Sequence, residues 1–332
     1  VDVKTEKGSF STDNEPISTQ LTPPGSFSLA HLSDLHLSSL VDVTPPQLFN
    51  KRILGYFSWL RKRRHVHRLD VVESLLEDLR TIRPDHTAVT GDLTHLGLPM
   101  EFVEVRQWLP FLGSPEHVTV IPGNHEAYAG GDWFKSCHMW GPYMDSNSHS
   151  GLSKSTIFFP SLRVFGQIAL IGLCSARPSL PLLATGTLGQ EQLNALEALL
   201  QQTGDKGLLR VILIHHPPVP GSIKWRKRLT DSHKLAEVVA RHGAELILHG
   251  HAHAPTLSML RTPSGHVPVV GAASGSELNP VSGRCAKYNI YHISHEDSVW
   301  SIKMSVRGYV TNQKRFIAES EMILDIPQPM TG

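Results

Sequence analysis

The run Ala244-Glu245-Leu246-Ile247-Leu248, followed at once by His249-Gly250-His251-Ala252-His253, decides how the chain is read. The apolar half predicts a buried strand that ends at Leu248. The second half predicts a turn, where Gly250 lets the backbone take a conformation other residues resist. His251 and His253, one residue apart on that turn, can address two neighbouring positions, and neutral imidazole is the commonest metal ligand. In a chain with 20 histidines this alone is a weak signal. It gains weight because four other predicted strands also end in ligand-bearing turns.

In chain order, Phe27–Leu32 runs into Ser33-Asp34-Leu35-His36 and Thr87–Thr90 into Gly91-Asp92. Val118–Ile121 runs into Gly123-Asn124-His125-Glu126, and Leu208–Ile214 into His215-His216-Pro217-Pro218. In open α/β sheets, ligand sites gather at the carboxyl ends of strands. Helical periodicity fills the intervals: Val66–Ile82, Met100–Phe111, Leu188–Gln201 and Asp231–His242. The alternation predicts an α/β fold. Val267–Val270, Tyr288–Ile293 and Val299–Val306 read as three closing strands, taken as antiparallel.

The rest of the chain is less patterned. Residues 1–26 are polar and rich in Ser, Thr and Pro, which predicts a flexible arm; the folded domain spans 27–310, and 311–332 reads as a polar tail. Gly130–Ser155 reads as a long loop over the site. Segment 48–68 is a basic amphipathic insert. Phe49, Ile53, Phe57 and Leu60 follow helical spacing, Trp59 lies beside them, and Lys51, Arg52, Arg61–Arg64 and Arg68 meet no acid. Two readings stand: a helix capping the core with its basic side in water, or a surface for an anionic membrane or a lipid-bearing substrate.

The 332 residues suffice for one large domain or two small ones, and 40% hydrophobic with 18% charged residues is ordinary globular composition. The net charge of +1 gives no global bias toward nucleic acid. Three widely spaced cysteines without a CxxC point away from a disulfide framework, and no apolar run approaches the ~20 residues of a membrane span. The expected location is cytoplasmic, with the insert offering peripheral contact at the inner face of a bacterial membrane.

The five clusters, in this order and after predicted strands, resemble the calcineurin-like metallophosphoesterases over roughly Ser28 to Tyr309. The resemblance implies a four-layer α-β-β-α sandwich with two mixed β-sheets. It also implies two divalent metal ions (Mn, Fe, Zn or Co, with Mn favoured). Asp34, His36 and His253 would hold one ion, Asn124, His215 and His251 the other, and Asp92 would bridge them. His215 is preferred over His216 because the family pattern is His-x-Pro. His125 would face the scissile phosphate and stabilise or protonate the leaving oxygen.

The implied reaction is phosphodiester or pyrophosphate hydrolysis by a metal-bridging hydroxide. Metal binding lowers the pKa of water from ~15.7 to about 7. Arg177, Lys224, Arg226 and Arg228 are the expected substrate-binding residues. The insert is similar to that of the UDP-2,3-diacylglucosamine hydrolases of lipid A synthesis, and cyclic-nucleotide phosphodiesterase is the alternative. A nuclease and a non-catalytic partner-binding scaffold are the rivals from other classes.

Taken singly, Asp34 or Asn124 suits a turn and His215 a strand end; together they would need unrelated explanations. Of the other histidines, His31, His216 and His249 are expected to pack beside ligands. His95 is expected to be exposed, and His65, His67, His117, His138, His149 and His233 to lie at the surface.

Overall fold

The computed structural model describes residues 26–147, 159–263, 265–279 and 281–328. The arm expected over 1–26 lies outside them except for Ser26, where the first strand starts. Strands β1 (Ser26–Leu32), β2 (His86–Val89) and β3 (Val118–Val120) run parallel. Their sheet continues from the other side of β1 through an antiparallel meander, β12 (Lys287–Glu296), β13 (Val299–Val310) and β14 (Arg315–Leu324).

The second sheet holds β4 (Ser161–Phe165), β5 (Ile168–Gly172), β6 (Leu209–Leu213), β7 (Leu246–His249), β9 (Gly265–Gly271) and β8 (Thr256–Thr262), in that spatial order. Its strands from β5 to β9 are parallel and its two edges antiparallel. A two-stranded ribbon, β10 (Leu278–Asn279) with β11 (Arg284–Cys285), completes the set.

Side-chain alternation shows the layers. In β6, Leu209, Val211 and Leu213 join the large core shared with β1, β2, β3 and β12, whereas Ile212 faces a second core. That second core contains Leu193, Leu196 and Leu200 of helix Gln190–Gly204 and Leu235, Val238 and Val239 of helix Ser232–His242. β7 divides the same way, Leu246 and Leu248 against Ile247. Helices Leu69–Ile82 and Pro99–Leu112 bury Val71, Val72, Leu75, Phe102 and Val105 in the large core. The result is an α/β sandwich of two mixed sheets. Strands buried on both faces read as continuous apolar runs, which is why these were visible from sequence.

Two expectations about strands need correction, and one strand was not foreseen. The stretch expected to be a tail carries β14. Only Phe316 and Leu324 of that strand are fully buried, so its edge position left little alternation to read. β8, unforeseen, is the opposite case of the same kind: one buried side chain, Leu260, on a sheet edge. The segment beginning at β9 pairs with β7 and β8, away from β12 and β13.

The expected loop over the site also fails in its described part. Trp133–Cys137, His138–Trp140 and Gly141–Met144 are short helices that bury Cys137, Trp140 and Met144 in the core, and Trp140 Nε1 donates to Phe102 O at 3.0 Å. The remainder of that loop, 148–155, lies outside the described residues.

His86 shows the cost of this tight core. It is fully buried on β2 and shares a 2.7 Å hydrogen bond between Nε2 and Thr119 Oγ1, while Nδ1 makes no well-aligned hydrogen bond among the described residues. Burial lowers its pKa from 6.5 to about 3, so the folded protein keeps it neutral where the unfolded chain takes up a proton. Its contribution is complete above pH 6.5 and is lost as pH falls toward 3. We expect His86→Gln to flatten the fall of unfolding free energy over that window by up to about 1.4 kcal/mol per pH unit. Denaturant titrations of both proteins at several pH values check this.

Candidate metal centre

Four strands, β1, β2, β6 and β7, deliver their following turns to one edge, and backbone hydrogen bonds lock the turns together. Asp34 N donates to Gly91 O at 2.9 Å, His36 N to Asp92 O at 3.1 Å, and Gly250 N to His215 O at 3.1 Å. The turns are tight. Asp34, His36, Asp92, His251 and His253 all have positive φ, between 46° and 68°. Non-glycine residues avoid this region, and such strain concentrates at functional sites. A Cβ on Gly250 would lie 1.8 Å from Ser33 Oγ, and one on Gly123 2.3 Å from Asp92 Oδ1. Both positions therefore require glycine for lack of space.

The ligand atoms of Asp34, His36, Asp92 and His253 lie within 4.8 Å of one another, as do those of Asp92, His215 and His251. Asp92 belongs to both groups. Asn124 joins the second, with Oδ1 3.1 Å from His215 Nε2. The imidazoles are oriented from behind. His36 Nδ1 donates to Thr94 O at 2.7 Å and His215 Nδ1 to Thr90 O at 2.6 Å, which turns each Nε2 inward as an acceptor when the ring is neutral. His251 Nε2 and Asp34 Oδ1 are buried without an aligned hydrogen bond, although His253 Nε2 stands 3.1 Å from the latter.

Buried carboxylates and imidazole nitrogens converging on one point suit cations. Burial alone would lower the pKa of His215, but the neighbouring Asp92 carboxylate raises it to about 9. Asp34 does the same for His253, again to about 9. Protonated imidazoles thus neutralise the carboxylates, a role that bound cations would take over.

His125 lies at the mouth of this cluster. Its backbone N donates to Asp92 Oδ1 at 2.8 Å and its Nδ1 to His95 O at 2.6 Å, leaving Nε2 toward the cleft. Glu126 ties the turns. Its carboxylate accepts from the backbone N of Asp92, Leu93, Thr94 and Gly123 at 2.6–3.0 Å.

The cleft, about 510 Å³, is lined by His36, Asp92, Asn124, His125, His251 and His253, with Arg63, His67 and Lys227 among the rest. The expected substrate-binding residues are not among those lining it. The Arg177 guanidinium donates to Ala176 O and Leu188 O, Arg228 Nη1 to Trp225 O, and Lys224 and Arg226 are exposed. Lys227 enters instead, because the 3₁₀ turn Trp225–Lys227 rotates it inward. His95 is buried and stacks on His36 with centroids 4.9 Å apart; His67 shares a 2.9 Å hydrogen bond with Ser276 Oγ. Both were expected in solvent.

Insert 48–68 is broken rather than one helix: Arg52–Ser58 is α, and Trp59–Arg63 is a wider π-type turn. Trp59 packs on Leu40, Leu96 and Leu98, and Arg52 donates to Leu96 O and Gly97 O. Phe49, Ile53, Leu54 and Phe57 point to solvent. Sequence reading missed Arg63 because a run of four basic residues does not reveal which one turns inward.

The sequence profile of the calcineurin-like phosphoesterase family matches residues 27–255. The chain belongs to the calcineurin-like phosphoesterases. Members are metal-dependent hydrolases of phosphoric esters, and this phosphoesterase has curated relatives of similar sequence. It is 25% identical to a probable cyclic nucleotide phosphodiesterase of Vesicomyosocius okutanii, over 68% of this chain and 78% of the relative. It is 28% identical to another from Synechococcus sp., over 53% of this chain and 60% of that one, so less than two thirds of the latter is spanned. A dimetal phosphatase from Danio rerio shares the fold, with TM-score 0.56 and 15% identity over 88% of this chain and 98% of that one. Among the described residues no helix is long and apolar enough to cross a membrane.

Glu126→Ala removes the acceptor shared by four buried N–H groups. We expect a loss of about 3–5 kcal/mol in unfolding free energy, measured by urea denaturation.

Proposed function

We propose that this phosphoesterase hydrolyses nucleotide-containing phosphodiesters at a centre of two divalent cations. Asp34, His36 and His253 would hold one, Asn124, His215 and His251 the other, and Asp92 would serve both. The observation that carries this is the membership of Asp92 in both ligand groups: one carboxylate has two oxygens and can serve two ions. Such ions, when bound, supply Lewis acidity and ionise water near neutral pH. Ligand type favours Mn, Fe, Zn or Co.

The chain's own residues do the rest. Asp92 Oδ1 and His95 O fix His125 at the cleft. Burial holds the His125 pKa down at about 4. A phosphate anion beside Nε2 opposes that shift and favours the imidazolium, the form that donates to the departing oxygen. The names of the curated relatives support cyclic nucleotides as one substrate class.

With Mn added, the protein is expected to cleave bis-p-nitrophenyl phosphate. Asp92→Ala should lower kcat/KM by about 10³-fold or more, the scale at which charge-stabilising groups act. A variant as active as the wild type would overturn the two-cation reading.

The surface beside the cleft favours a second reading, in which the substrate is lipid-bearing, as UDP-2,3-diacylglucosamine is. Exposed Phe49, Ile53, Leu54 and Phe57 adjoin the basic residues Arg61, Lys62 and Arg64, which are also exposed. Lys51 Nζ, donating to Ser179 O at 2.9 Å, brings the loop with exposed Leu180 and Leu182 to the same side. Apolar and cationic side chains together suit an anionic bilayer. The protein is expected to co-sediment with phosphatidylglycerol vesicles and Phe49→Ser/Phe57→Ser to reduce the bound fraction severalfold; sedimentation without protein removes this reading.

A further inference from the structure

The His125 ring is anchored at two points, its own Cβ and the 2.6 Å hydrogen bond from Nδ1 to His95 O. Two points define an axis, and Nε2 lies off it, so these anchors alone leave Nε2 free to rock. A contact on the face of the ring removes that freedom. Tyr128, three residues on, supplies one: the two rings stack with centroids 5.5 Å apart and planes 28° from parallel.

Tyr128 is braced in turn by the 48–68 insert. It packs against the niche of Leu40, Trp59, Leu96 and Leu98. Lys51 Nζ stands 4.6 Å from its ring centroid while donating to Ser179 O and Oγ. Gly55, in helix Arg52–Ser58, comes so close that a Cβ there would lie 2.5 Å from Tyr128 Oη and 2.5 Å from Leu96 Cδ2. Alanine suits a helix better than glycine does, so this close approach is what the glycine serves. Contact therefore runs unbroken from the insert through Tyr128 to His125.

We propose that Tyr128 is a positioning residue for His125: its ring, wedged by Lys51 and Gly55, holds Nε2 toward the leaving oxygen, so that the insert governs how well poor leaving groups depart. The inference rests on the role given to His125 above. As the P–O bond breaks, its electron pair stays on the leaving oxygen, which takes the proton from Nε2. The attacking water forms the new P–O bond and gives up a proton to solvent, and solvent returns one to the imidazole. Nδ1–H stays on His95 O throughout. A reacting group displaced by about 1 Å can lose on the order of a hundredfold in rate.

The test uses the full chain with Mn added and two diesters that differ only in leaving group, thymidine 5′-(p-nitrophenyl phosphate) and thymidine 5′-(phenyl phosphate). Nitrophenolate departs without a proton, whereas phenolate, as basic as a tyrosine side chain with its pKa of about 10, gains from one. We expect Tyr128→Ala to lose at least about tenfold more kcat on the phenyl ester than on the nitrophenyl ester, a part of the ~10²–10⁴-fold that a general acid supplies, with KM little changed. Tyr128→Leu keeps apolar bulk in the niche but has no flat face; it should show the same split and controls for folding. Gly55→Ala, which pushes on the ring, should shift the same way, and Tyr128→Phe, which keeps the ring, should recover most of the loss. In proton–nitrogen spectra of the Zn-loaded protein, assigned with His125→Gln, the His125 Nδ1 proton should exchange with water severalfold faster in Tyr128→Leu. Equal losses on the two esters in Tyr128→Ala and Tyr128→Leu, or unchanged exchange, overturn the proposal. A wild type that cleaves neither ester, with exchange still accelerated in Tyr128→Leu, supports the positioning and rejects the hydrolase reading.

Discussion

Two carboxylates, Asp34 and Asp92, are buried almost completely at the meeting of the two sheets. An ionised carboxylate removed from water is unstable unless opposite charge or donors accompany it. Here the partners are imidazoles, His253 at 3.1 Å and His215 at 3.3 Å. The surrounding architecture serves this requirement: strands from both sheets converge so that residues more than two hundred positions apart share one cluster. His251 N donating to Asp34 Oδ2 at 3.0 Å closes that distance directly.

The backbone bears the cost. Holding several consecutive ligand turns in left-handed conformations costs energy at each residue, of order 1–3 kcal/mol. The compensation is visible in the hydrogen bonds between turns, in the Glu126 carboxylate, and in Ser274, whose hydroxyl donates to Asp34 O at 2.7 Å. A lattice this heavily cross-braced positions side chains before anything binds, which is what electrostatic preorganisation requires.

Much of this was legible in the residues. Doubly buried strands such as β6 and β7 are unbroken apolar runs, and a ligand-type residue directly after such a run marks the sheet edge. Edge strands β8 and β14 bury too few side chains to carry a period. The helical segment 133–144 depends on Trp140 finding a place against Phe102, a tertiary fact with no local signature. The inward positions of Arg63 and Lys227 depend on turn geometry that charge runs do not encode; the same composition placed Lys224, Arg226 and Arg228 outside the cleft.

The π-type turn at Trp59–Arg63 has a broader meaning. An α-helix continued through this segment would rotate each following side chain by a fixed step, and a basic run would spread around the cylinder. One widened coil resets the phase. Trp59 stays anchored in its apolar niche while a guanidinium four residues later faces the reaction chamber. Which side chain of this basic run faces the cleft is therefore set by the phase of one peripheral turn, which a single inserted or deleted residue would shift while the strand-end turns stay as they are.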